Sequence, residues 1–334
     1  MTGVTVVSDW EWYEAWQRWA LQVCLRPGVE ASADVPAESK WFIVADPSYP
    51  HGTLTFYPAM EGGIAVTFPH QHYNAPGRDV PWRHGDICLE DFLAAIGRAG
   101  LEAEPEGARL RLRWRAERAL EWLTAAAEGT LLRTGDPFEL PDFPEAAVDV
   151  VVAFRESPDA LAHWRIGPRW GTIELVRPPS VTRAFVVQRF FDGNGLRLPE
   201  VEWGTALAAS HSELHRGIWL RFDRLPVLSP WQAPATWGEL RRLAALQGLD
   251  LDKSLRRALR LLPEGTGCVA LIGFPIPRSV SDPDVRMHWQ ALLLPDLHPR
   301  RSAVLDADQP IAWLPSENWH PIDIATRGRF AEPV

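Results

Sequence analysis

Apolar positions in the first 25 residues fall into a helical rhythm. Trp12, Trp16, Trp19 and Val23 stand 4, 3 and 4 residues apart, which places them on one face of a helix. Ser8 and Glu11 have the spacing of a capping box, and Pro27-Gly28 closes the element. The pattern then changes. Trp41–Val44, Thr53–Tyr57 and Ile64–Phe68 are short runs of β-formers separated by Gly and Pro, which predicts an antiparallel meander. From Pro69 to Arg83 the periodicity disappears, and His70, His72, Asn74, Pro76, Gly77, Asp79 and Pro81 gather in a long loop. Such loops tend to carry function. Gly85-Asp86-Ile87-Cys88-Leu89 follows, then an apolar, helix-like segment at Phe92–Ile96. A strong helix is expected around Leu112, Ala116, Leu120, Leu123 and Ala127.

Pro137, Pro141 and Pro144 stop any helix and mark a boundary. Beyond it, β-like runs occur at Val148–Phe154, Thr172–Val176, Ala184–Phe190, Ile218–Phe222, Val269–Phe274 and His288–Leu294. Helical stretches lie near 236–248 and 252–262. The whole reads as an α+β chain of two domains, 1–140 and 145–334.

Composition narrows the class. The 334 residues are 46% hydrophobic and 23% charged, a globular balance. The 34 Lys+Arg against 43 Asp+Glu give a formal charge of −9, which argues against nucleic-acid binding through a global positive field. No run approaches the roughly 18 apolar residues of a membrane span. Met1 to Asp9 has neither the basic start nor the apolar length of a signal peptide. Cys24, Cys88 and Cys268 are odd in number and far apart, so neither a disulfide framework nor a CxxC zinc site is expected. A reducing, cytoplasmic setting suits them. No cofactor motif is evident, and the 17 Trp favour large rigid contact surfaces.

Two kinds of chemistry fit the loop. Cys88, beside Gly85 and four residues after His84, is placed for a nucleophilic thiolate, although free Cys is also a common small core residue. Cys24 and Cys268, in apolar runs, fit that core role better. His70, His72, His84 and Cys88 also form an N/N/N/S set within nineteen residues, as zinc hydrolases use. Val80 and Arg83 stand where the JAMM-type metallopeptidase pattern needs Ser and Asp.

The order of the motifs resembles the ubiquitin-conjugating (E2) fold. In that family an HPN tripeptide precedes a catalytic Cys in a G-x-I-C-L setting, matched here by His72-Tyr73-Asn74 and Gly85-Asp86-Ile87-Cys88-Leu89. The stretch from Trp114 to Gly129 and on through Gly135-Asp136-Pro137-Phe138-Glu139-Leu140-Pro141 resembles the end of E2-like domains found in bacterial anti-phage operons. Trp164–Trp170, Ile272–Pro277 and Trp313–Arg329 resemble the linker joining E2 to E1 in fused relatives. The resemblance implies a UBC-like N-terminal domain with a meander and flanking helices, then an α+β linker domain that docks a partner.

It implies that Cys88 accepts an activated C-terminus as a thioester from an E1-like adenylating enzyme or domain, and passes it to an amine on a target protein. The donor would be a ubiquitin-like protein or the tail of a nucleotide-signal synthase. Asn74 would hold the oxyanion, His72 would brace the loop, and His84 would assist proton transfer. A homodimer through the E1 is a further option. Tyr73 replaces the family Pro, and Asn74 lies 14 residues before Cys88, a longer gap than usual. A non-catalytic scaffold docking E1 through Trp-rich surfaces, with Trp164, Trp170, Trp231 and Trp237 as anchors, is the competing expectation.

Overall fold

A computed structural model describes residues 2–89, 104–156, 161–178, 181, 183–198, 203–207, 213–262, 269–295 and 305–327. Cys268 and the expected helix at Phe92–Ile96 lie outside the described residues. The chain is mixed α/β, rich in sheet and with few helices. It divides into two compact units, 1–142 with 229–232, and 143–228 with 233–334.

The first unit is built on a five-stranded antiparallel sheet. β3 (Arg18–Leu25), β4 (Ser39–Ala45) and β5 (Leu54–Pro58) form its meander. β1 (Val4–Val6) and β2 (Glu11–Tyr13) pair with opposite ends of β3. The expected helix over Trp12 to Val23 is therefore a hairpin. Trp12 lies directly opposite Trp19, and their rings meet edge to face at 5.3 Å. The turn places Gln17 at φ 51, a left-handed value no helix interior adopts. Four-residue spacing around a tight turn imitates a helical repeat, and cross-strand aromatic pairing takes precedence over it. Ser8 does not cap a helix: its Oγ accepts the Gln22 N–H at 3.0 Å.

Both faces of this sheet are covered, which explains the unbroken apolar run in β4. Trp41, Ile43 and Ala45 face α1 (Ala108–Glu128), whose Ala116, Ala119, Trp122 and Leu123 complete the main core. Phe42 and Val44 face the other way, onto Trp82. Gly129, at φ 67, ends α1 in the left-handed turn that closes helices. Ile64, Thr67 and Phe68 are buried, but Ile64–Phe68 forms no strand. The carbonyls of Ile64 and Val66 accept from the Asn74 side chain instead of a neighbouring strand.

The second unit holds an eight-stranded mixed sheet. Its strands are β6 (Val151–Phe154), β7 (Trp170–Arg177), β8 (Ala184–Asp192), β9 (Glu213–Arg221), β10 (Val269–Pro277), β11 (Val285–Leu293), β12 (Ala312–Leu314) and β13 (Ser316–Asn318). The spatial order is β12-β11-β10-β9-β7-β8-β6-β13, with β6–β8, β9–β10 and β6–β13 parallel. On one face the short helix α2 (Leu161–Ile166) sets Trp164 against Phe190, Trp219 and Trp289 at 5.0–5.3 Å between ring centroids. The other face packs under Trp203 and Trp319.

Glu156 lies beside the Trp164 cluster, and its Oε1 accepts from the indoles of Trp164 and Trp289 at 2.9 and 2.7 Å. Burial pushes its carboxyl up to about 7, with the two indole donors pulling the other way. Helices α3 (Trp237–Leu246) and α4 (Leu251–Leu259) stand where the sequence places them. Thr236 and Glu239 form a complete capping box at the start of α3. The last helix among the described residues is α5 (Pro321–Arg327). Among the described residues no helix is long and apolar enough to cross a membrane.

Candidate functional site

The loop after Ile64–Phe68 folds back as a short ladder. Gln71 pairs with Ile87, the His72 N–H donates to the Asp86 carbonyl, and the Cys88 N–H donates to the His70 carbonyl. The Ile87 N–H reaches the Phe56 carbonyl at 3.2 Å and ties the ladder to β5. Side chains alternate across such a ladder. Gln71 and Ile87 point inward, 7% and 4% exposed. Gln71 is fixed there, accepting from the Phe68 N–H at 2.9 Å and donating to the Gly85 carbonyl at 2.8 Å. The alternate set is His70, His72, Asp86 and Cys88. The Cys88 thiol is exposed, whereas Cys24 is buried.

Two histidine–carboxylate contacts flank the Cys88 segment. His72 Nδ1 lies 2.9 Å from Asp86 Oδ1. Burial pushes the Asp86 carboxyl above the usual carboxylate range, and the His72 ring opposes that. His70 Nδ1 lies 2.7 Å from Glu139 Oε2. The hydrogen bond to Glu139 raises the His70 pKa, and the same bond lowers that of Glu139. His70 sits at φ 58, so the chain bends sharply at the residue opposite Cys88.

Asn74 is 3% exposed. Its Nδ2 donates to the carbonyls of Ile64 (3.0 Å) and Val66 (2.9 Å), and its Oδ1 accepts from Arg83 Nε at 3.0 Å. Arg83 also donates to the Asn74 carbonyl at 2.7 Å. Both amide hydrogens are thus already committed. That bonding braces the loop from within. Gly85 explains how the long insertion returns to it: a Cβ there would stand 2.6 Å from both Cα and Cβ of Asn74. The insertion is anchored by Trp82, fully buried among Tyr13, Trp16, Phe42 and Tyr57.

His84 stacks on Trp16, centroids 5.7 Å apart and planes 21° apart. It is therefore packed into the aromatic cluster rather than set in the ladder. Among the described residues no three His, Cys, Asp or Glu side chains converge as a metal site requires. The ladder places Cys88 and His72 on one face, while Asn74 is buried and His84 lies against Trp16. Sequence reasoning missed the pairing of His70 with Glu139 and the role of Arg83. The first was visible as a two-residue alternation with His72; the second, a nine-residue contact through an irregular loop, left no periodic signal.

Residues 129–319 match the Cap2 central linker domain. Over 342 aligned positions, covering 95% of this chain, the sequence is 31% identical to the ATP-dependent ubiquitin transferase-like protein Cap2 of Enterobacter hormaechei subsp. hoffmannii (strain UCI 50). The chain spans 57% of that relative's length. The ladder bearing Cys88 lies ahead of the linker match and within the longer alignment.

Proposed function

The chain belongs to the family of the Cap2 central linker domain, and from that membership we propose that its first unit is an E2-like acyl carrier in a ubiquitin-like conjugation system of bacterial anti-phage defence. Exposure of Cys88 on a short ladder, opposite His70 and beside the His72–Asp86 pair, is the observation that carries this reading. A reachable thiol is the first requirement of a nucleophile, and a nearby cation favours its thiolate.

An E1-like adenylating enzyme activates the C-terminus of a small protein, or of a nucleotide-synthase tail, with ATP and holds it as a thioester. The Cys88 thiolate attacks that thioester carbonyl; a new S–C bond forms and the E1 thiolate leaves. An amine of the target protein then attacks the Cys88 thioester. An amide forms, the Cys88 thiolate departs, and the amine proton passes to a base. His72, oriented by Asp86, is the proton acceptor in this scheme. Asn74 and Arg83 keep the loop in shape, and His84 steadies it through Trp16. The second unit serves as the linker that docks the E1 partner. The setting is cytoplasmic, and a homodimer through the E1 is compatible with the scheme.

The test is direct. Incubation with E1, ATP and the modifier should give an adduct cleaved by thiol reductant. Cys88→Ala should give none, and Cys88→Ser should give a reductant-resistant ester. Firm E1 binding with no adduct on the native chain would replace this reading with that of a docking scaffold.

A further inference from the structure

The second unit contains a pocket of about 420 Å³, a size typical of small-ligand sites. Leu161, Phe222, Val285 and Met287 give it apolar walls, and Arg165, Arg221, Arg224 and Asp223 supply its charge. Three arginines and one aspartate thus line the pocket, in a chain whose overall charge is −9.

The balance is poorer than that count suggests. Arg221 is buried, 8% exposed, at the end of β9. Its Nη1 reaches Asp223 Oδ1 at 3.0 Å, while its Nε is buried with no acceptor among the described residues. Asp223 is half-exposed and shared, since Arg169 Nη2 stands 3.4 Å from its other oxygen. Burial without sufficient counter-charge disfavours the charged form of Arg221. A buried cation in this state gains from an added anion.

The geometry points to a binding site for a small monoanionic carboxylate carried on an apolar body. The aliphatic walls take the body, and the arginines take the carboxylate, whose two oxygens suit a guanidinium fork. A dianionic phosphate suits the site less, because Asp223 would repel its second charge. The carboxylate has two sources, a free aliphatic acid or the last residue of a peptide. This inference stands apart from the chemistry assigned to Cys88.

The sequence supplies a reporter. Only Met1, Met60 and Met287 occur, and Met287 lines the pocket while Met60 belongs to the first unit. The full chain labelled with ¹³C-methyl methionine is titrated with hexanoate, hexanamide, acetyl-alanyl-leucine, its C-terminal amide and inorganic phosphate. Met287→Leu assigns the signal. Either acid should shift Met287 saturably and leave Met60 unmoved, and which acid does so identifies the source. The matching amide should bind about tenfold more weakly or worse. Arg165→Ala with Arg224→Ala, both at exposed residues, should weaken the acid by a similar factor without unfolding the chain. Equal binding of acid and amide, phosphate binding as well as the acids, or no shift of Met287 with either acid would overturn the proposal.

Discussion

Asn74 and Cys88 show how far residue identity and residue role can separate. Both were visible in the sequence by type and order, but bonding decides what each can do. Asn74 satisfies two backbone carbonyls and one guanidinium from a buried position. Asn74→Ala orphans all three, so the first unit should lose roughly 2–4 kcal/mol, counting about 1–3 kcal/mol for each buried group left unsatisfied and allowing for water entry. Chemical denaturation would show it. Adduct formation on Cys88 should fall in step with the folded fraction; full stability with lost adduct would return Asn74 to the oxyanion.

The His70–Glu139 pair gives a second residue-scale test. Glu139→Gln lets His70 lose its proton at lower pH, which removes positive charge opposite the thiol. Alkylation of Cys88 near neutral pH, followed by peptide mass spectrometry, should then slow.

Glu156 has a pKa raised from 4.5 to about 7, so the folded state keeps a proton that the unfolded chain has released. Stability therefore falls as pH rises across that interval and levels off above it. Glu156→Gln removes the dependence. It should exceed the native chain in stability by up to about 3 kcal/mol near pH 8 and match it near pH 4.5.

At the scale of elements, alternation and turn chemistry were legible wherever a strand or helix had one clear face. β4, β5, α1, the six main strands of the second unit and helices α3 and α4 all fall where pattern places them. Two failures have different causes, side-chain bonding in place of strand pairing in one and cross-strand pairing in place of a helix in the other. Ile64–Phe68 has strand composition, but Asn74 takes its carbonyls. The Trp12–Val23 stretch has helical spacing, yet the Trp12–Trp19 pair closes it as a hairpin. One substitution separates the two conformations by sign. Gln17→Gly relieves a left-handed residue and should stabilise the first unit by a few tenths to about 1 kcal/mol, reduced by loss of its exposed bonds to Glu14. In a helix the same change would cost about 1 kcal/mol. Thermal unfolding reads the difference.

At the scale of the whole molecule, the first compact unit runs to Asp142 and takes in a second, distant segment. What no linear pattern could show is that 229–232, nearly ninety residues later, belongs to the first unit. The Trp231 N–H donates to the Thr67 carbonyl at 3.1 Å, and its indole meets Phe138 edge to face at 5.9 Å. Gln232 reaches the Tyr73 hydroxyl at 3.5 Å. Thr67 is itself fully buried, and its hydroxyl accepts the Asn74 N–H, so this short segment supports the floor of the loop that leads to Cys88. A fragment ending at Asp142 lacks these contacts. It should unfold at lower denaturant than the same unit within the full chain, and it should form the Cys88 adduct more slowly at equal folded concentration. Trp231→Ala in the full chain should reproduce part of the loss, about 1–3 kcal/mol for a half-buried aromatic truncated to a methyl. If the fragment matched the full chain in both measurements, the first unit would be complete at Asp142 and the 229–232 segment would have no part in shaping the thiol's surroundings.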